Sequence, residues 1–270
     1  MKTRIDDSFA MLEARGRTGL IAYLTVGFPD VETTLRLAPA IVEAGIDMIE
    51  LGVPFSDPLA DGPVIQMSSF KALEQGVTAA TCIDAARQLR AEGVQVPIIL
   101  MGSYNPILAY GVPEFCADAA AAGVDGLIVS DLPTEETGPL LAEAKPARLS
   151  LVPLLALTSS EKRIQNACKE ASGFIYCVAV LGVTGARESV SERVRGLVAD
   201  VKRNTSLPAA VGFGISTVEH VAEVAAFADG AVVGSALVSA MDDGASETAP
   251  QRAKEFIEGL IGGTRLPGAR

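Results

Sequence analysis

The stretch PAAVGFGISTVEHVAEVAAFADGAVVGS, residues 208–235, holds one complete unit of the fold. A short aliphatic run, PAAVGF, is followed by STVEHVAEVAAFA, whose apolar residues recur at helical spacing, and then by a second run, GAVVGS. Short, continuous, β-branched runs suit strands buried on both faces, as in a parallel sheet. Outward from this unit the same alternation recurs along most of the chain. Further strand candidates are LIAYLTVG (20–27), IDMIEL (46–51), VPIILM (96–101), DGLIVS (125–130), LSLVPLL (149–155) and GFIYCVAV (173–180). Helix-like stretches such as VETTLRLAPAIVEAG, VPEFCADAAAAG, TEETGPLLAEAK, SSEKRIQNACKEAS and SVSERVRGLVADVK lie between them, several ending in the glycine that commonly closes a helix.

Eight strand–helix alternations in 270 residues predict an α/β protein, a single closed (β/α)8 barrel spanning residues 1–270 as one domain. An open doubly wound sheet is the alternative, but no G-x-G-x-x-G follows the first strand. Extra helices are expected: one before residue 20, placed to close the base of the barrel, and two within residues 62–94.

Composition narrows the function. The net charge of −11, with lysine and arginine scattered singly, argues against nucleic acid and makes backbone N–H groups the expected donors to any phosphate. Apolar runs fall short of the roughly 18 residues of a membrane helix, and the N-terminus lacks a secretory signal, so a cytoplasmic protein is expected. Cys82, Cys116, Cys168 and Cys177 are widely spaced and read as buried reduced thiols. His220, the only histidine, lies in a helical stretch, which leaves no His-based triad and no multi-histidine metal site.

Barrel sites are built at the carboxyl ends of the strands. After strand 2 comes ELGVPFSDPLADGP, residues 50–63, with three carboxylates on a stiff loop. Alternation puts Ile46, Met48 and Glu50 on one face and Asp47, Ile49 and Leu51 on the other. If the first face is the interior, burial raises the pKa of Glu50 and suits it to acid/base work. Pairing with a buried cation, or solvation at the rim, is the plain alternative. Asp61 before Gly62-Pro63 is equally a helix cap, and Asp57 an Asx turn. The loops after strands 6, 7 and 8 read GVTG, GFGIS and GSA. Together they favour phosphate, with Gly214, Gly234 and Ser235 as donors. No lysine falls at a strand end for a Schiff base, so carbon–carbon cleavage would need an electron sink in the substrate.

IELGVPFSDPLADGP closely resembles the tryptophan synthase alpha subunit family, and YLTVGFPD, LMGSYNPI, SDLP, GVTGAR, GFGIS and VVGSALV follow in the family's order. The resemblance implies a (β/α)8 barrel that cleaves indole-3-glycerol phosphate to indole and glyceraldehyde 3-phosphate. It implies no cofactor and no metal in this chain. The partner is a beta subunit carrying pyridoxal phosphate, in an alpha-beta-beta-alpha complex. Carried over by motif, Glu50 is the general acid/base and Asp61 the acceptor of the indole N–H. Tyr176 and Phe213 contact substrate, and Gly185, Gly214, Gly234 and Ser235 hold the phosphate. Thr184 belongs to a lid that closes on Asp61. Ser103, where the family often has an aromatic, and the apolar run Val178–Leu181 depart from the pattern. A phosphate-binding epimerase or isomerase, and a regulatory subunit that only activates a partner, are the rival readings.

Overall fold

A computed structural model describes residues 2–178, 187–212, 214–242 and 244–265, with backbone alone for 187–191. Every strand pairing is parallel. The strands are β1 (Gly19–Thr25), β2 (Met48–Gly52), β3 (Ile98–Gly102) and β4 (Gly126–Val129), then β5 in two segments (Ser150–Leu151 and Leu154–Ala156), β6 (Ile175–Val178), β7 (Ala209–Gly212) and β8 (Gly230–Val233). Each lies within or against one of the eight expected runs. The fifth run, expected to be continuous, is interrupted at Val152-Pro153, where proline has no N–H to offer the ladder.

The ring closes through that interruption. The first segment of β5 pairs with β4 and the second with β6. The Val152 N–H donates to Leu127 O and the Tyr176 N–H to Pro153 O, both at 3.0 Å. With β1 bonded to both β2 and β8, the sheet is a (β/α)8 barrel with additional helices.

Two apolar layers follow from the alternation. Ile21, Met48, Ile99, Ile128, Val152, Ala210 and Val232 fill the interior, while Leu20, Ile49, Leu51 and Leu100 face the surrounding helices. The helix Arg4–Ala14, started by a capping box between Thr3 and Asp6, drives Ile5, Phe9 and Leu12 into the interior cluster from below. Phe9 meets Phe174 with ring centres 5.6 Å apart. This helix is the basal plug read from the sequence. The two helices expected within residues 62–94 are Pro63–Glu74 and Ala79–Ala91. The helix Tyr104–Tyr110 replaces what GSYNP suggested as a loop; the carboxylate of Asp131, from the loop after β4, accepts the Tyr104 N–H at 2.7 Å at its start.

A polar clamp recurs at the bottom of alternate strands. Asp47 accepts the N–H of Leu20, Asp125 that of Ile98 and Asp229 that of Ala209, each at 2.9 Å, and Ser172 Oγ that of Leu151 at 3.0 Å. Each acceptor precedes an even-numbered strand and holds the start of the odd-numbered strand before it. One expectation changes here. Ile46 does not share the inward face of Met48 and Glu50, because β2 begins only at Met48 and Ile46 packs in the outer layer.

Candidate active site

β1 and β2 set Tyr23 opposite Glu50, and β3 sets Ile99 beside it. Glu50 is inward-facing and 0% exposed, and neither carboxylate oxygen has a hydrogen-bond partner among the described residues. Burial pushes its carboxyl up to about 8, so the resting group carries its proton at neutral pH. An orphaned buried carboxyl is costly and marks a functional position more often than a structural one. Among the described residues no lysine or arginine bonds to Glu50, which speaks against the cation-paired alternative.

Asp61 sits on the loop after β2. Its N–H donates to Pro58 O at 3.1 Å, and its carbonyl accepts from Gln66 Nε2 at 2.9 Å. The helix Pro63–Glu74 is capped at Gly62 without any side-chain bond, so Asp61 is not its cap. The Asp61 carboxyl is instead partly buried, and desolvation pushes it up to about 6. The turn at Asp57 is closed by its carbonyl, which accepts the Leu59 N–H at 3.0 Å, rather than by its carboxylate.

A cavity of about 610 Å³ opens above the interior layer, lined by Asp61, Met101, Val129, Val152, Leu154 and Tyr176 among others. That volume is in the range of small-molecule sites. Glu50 does not line it. The carboxyl lies one layer below, since its partner Ile99 precedes the lining residue Met101 by one inward step. Tyr176 is buried between them. Its phenol pKa is raised by burial first, then by Glu50, Tyr23 and Asp61. Tyr23 is raised by burial, then Asp61, with smaller effects from Glu50 and Cys82 opposed by a Thr25 hydrogen bond. Tyr23, Glu50, Asp61 and Tyr176 therefore form one electrostatic group. Two inward glycines make room for it: a β-carbon at Gly52 would overlap the Tyr23 hydroxyl, and one at Gly212 the Tyr176 hydroxyl.

Gly234 packs against the Tyr23 ring and precedes the helix Ser235–Asp242, whose first internal bond is from Val238 N–H to Gly234 O. The N–H groups of Ser235, Ala236 and Leu237 thus have no acceptor within the helix. Gly214, after β7, takes φ +57°, the left-handed conformation that glycine tolerates. Thr184, Gly185 and Phe213 lie outside the described residues, as does the part of Val178–Leu181 beyond Val178. Ser103 is buried at the start of the Tyr104–Tyr110 helix and shares a small recess with Tyr23, Asp61 and Ser130. Among the described residues no three His, Cys, Asp or Glu side chains gather as a metal site. His220 is on the helix Val218–Ala225 with its ring near Ser216, and all four cysteines are buried and free.

Tyr23 was not anticipated as part of the site. Its place two residues beyond Ile21 on an inward face was readable, but its nearness to Glu50 depends on the register between β1 and β2.

Residues 9–260 match the sequence profile of the family described as Tryptophan synthase alpha chain. The chain is 48% identical over 261 residues to a tryptophan synthase alpha chain of Chloroflexus aggregans, covering 97% of this chain and 98% of that one. It is similar in structure to the tryptophan synthase alpha chain of Legionella pneumophila, with a TM-score of 0.91, 33% identity and full coverage of both chains. A tryptophan synthase structure from Mycobacterium tuberculosis gives a TM-score of 0.90 at 36% identity, covering 99% of this chain and 100% of that chain.

Proposed function

We propose, because this chain belongs to the tryptophan synthase alpha chain family, that Glu50 and Asp61 carry its reaction. The chain is a carbon–carbon lyase of tryptophan biosynthesis. It cleaves indole-3-glycerol phosphate to indole and glyceraldehyde 3-phosphate and passes the indole to a beta subunit. The observation that supports the assignment of Glu50 is its burial beneath the cavity with neither oxygen hydrogen-bonded among the described residues.

Protonated Glu50 delivers its proton to the indole ring carbon that bears the glycerol chain. This makes the ring an electron sink. Asp61 accepts the indole N–H and offsets the positive charge that develops there. The carbon–carbon bond then breaks, its electron pair returning to the ring, while Glu50 takes the proton of the glycerol hydroxyl and the aldehyde forms. Glu50 ends as it began, protonated, so no external base is consumed. Tyr176 contacts the substrate near the reacting centre, Phe213 lies beside the ring, and Thr184 belongs to a lid that closes on Asp61. Gly185, Gly214, Gly234 and Ser235 hold the phosphate through backbone N–H groups and the Ser235 hydroxyl, aided by the start of the Ser235–Asp242 helix. The chain brings no cofactor or metal of its own. Its partners form an alpha-beta-beta-alpha complex in the cytoplasm, in which the beta subunits hold pyridoxal phosphate.

The test is indole release from indole-3-glycerol phosphate in chelating buffer, with and without a beta subunit. Wild type forms indole, and the rate follows a bell. It rises as Asp61 ionises near pH 6 and falls as Glu50 loses its proton near pH 8. Glu50→Gln abolishes cleavage and Asp61→Asn slows it by about 10²-fold or more, in the range of lost oxyanion-type stabilisation. Full activity in Glu50→Gln would overturn the assignment.

A further inference from the structure

The barrel wall parts beside β5, and the cavity continues through the parting. β4 pairs with β5 only at its lower end, Gly126 with Ser150 and Leu127 with Leu151, and the Val152 N–H makes the last bond, to Leu127 O. Above that level, among the described residues, β4 bonds to β3 and the upper segment of β5 to β6, but not to each other. Pro153 sits at the parting and has no N–H to close it. Side chains from both apolar layers line the cavity: Met101, Val152 and Leu154 from the interior, and Leu151, Leu155 and Ala167 from the layer outside. Leu151 is at the lower end of β5, where a cavity passing over the top of the strand would not reach it. The cavity therefore has a lobe between β5 and the helix Glu161–Glu170. Ala167 and Ala171, one helical turn apart with the Ala171 N–H bonded to Ala167 O, leave the lobe its room. It is apolar where it leaves the barrel and polar at its rim, where exposed Glu170 accepts the Thr137 hydroxyl at 3.0 Å.

We propose that this lobe is a specificity subsite for the indole ring, admitting an apolar substituent on its six-membered ring, so that the chain cleaves ring-alkylated indole-3-glycerol phosphates. The inference rests on the reading of the cavity as the lyase site. In that reading the phosphate lies at the loops after β7 and β8, and the ring N–H at Asp61 after β2. Gly214, Gly234 and Ser235 do not line the cavity, which belongs to the side of the barrel from β3 to β6. The ring thus fills the cavity with the phosphate behind it. Its nitrogen and its carbon 3, which bears the glycerol chain, are the anchored atoms. Carbons 5 and 6 lie farthest from both, on the edge that faces away from the anchors and toward the parted wall.

Release of glyceraldehyde 3-phosphate, the product common to all substrates, is measured in single turnovers of the full chain with the beta subunit, so that departure of a larger indole does not set the rate. The substrates are indole-3-glycerol phosphate and its 5-propyl and 6-propyl derivatives. Wild type cleaves at least one derivative within about tenfold of the parent, whereas a pocket closed at β5 would reject three added carbons by more than that. Ala171→Leu, which fills the lobe, slows the accepted derivative at least about tenfold and leaves the parent unchanged. If that variant does not fold, Ala167→Val narrows the same lobe and is read in the same way. Rejection of both derivatives beyond about tenfold, or a filled lobe that slows parent and derivative equally or neither, overturns the subsite and keeps the lyase. A parent that is not cleaved, with the beta subunit present, overturns the lyase reading itself.

Discussion

Glu50 shows at one residue how the site is held at the expense of the fold. Its folded carboxyl titrates near 8, against 4.5 when exposed, so between those values the unfolded chain binds fewer protons than the native one. Stability therefore falls as pH rises across that window and levels off above it. Glu50→Gln removes the ionisation. Urea unfolding of the two proteins should agree near pH 4 and diverge until, at pH 8 to 9, the variant is more stable by on the order of 4 kcal/mol. A constant difference at all pH values would show that the carboxyl is not desolvated. Asp61 is a contrasting case. Proline and glycine around it marked a rigid loop, but Asp61 as a helix cap remained equally consistent with that pattern until Gly62 was seen at the cap position.

Among the elements, the polar clamps show what ties neighbouring strands together at the end away from the chemistry. Asp125 is the most heavily bonded of them: it accepts from Ile98 N–H, from Arg90 at 2.5 Å and from Arg4 at 2.8 Å. Arg90 is 12% exposed and also donates to the carbonyls of Gly123, Val94 and Val96. Asp125→Ala leaves a largely buried guanidinium and a strand N–H without their acceptor. The expected loss is about 3 kcal/mol in chemical denaturation, against less than about 1 for the exposed pair of Arg87 and Asp84. Strand positions were legible because buried parallel strands read as aliphatic runs. The break in β5 was signalled only by Pro153, and the helix Tyr104–Tyr110 was hidden in a short segment with proline at its third position.

At the scale of the whole molecule, the apolar residues left outside fall partly around the mouth of the site. Leu59, 87% exposed, is on the Asp61 loop, and Leu108, 53% exposed, is on the helix after β3. Loops at the carboxyl ends of neighbouring strands share one face of a barrel, so a partner seated there would cover the cavity and could receive indole without its release to water. Leu108→Asp should raise the beta-subunit concentration needed for half-maximal activation about tenfold, read by titration of indole formation, with little change in thermal stability. An unchanged titration would move the docking surface elsewhere.

Apolar periodicity was enough for the eight strands, the basal plug and the parallel barrel, because each depends on which residues must leave water and at what spacing. Sequence motifs were enough for the family, for Glu50 and Asp61 as candidates, and for the glycine turns beyond β7 and β8. The tertiary structure alone decided that Glu50 has no hydrogen-bond partner among the described residues, that it lies one layer beneath the cavity, and that the Tyr23 and Tyr176 hydroxyls occupy the space over Gly52 and Gly212. Those facts depend on strand register and ring closure. Residues far apart in the chain meet there, and no local pattern records the distance between them.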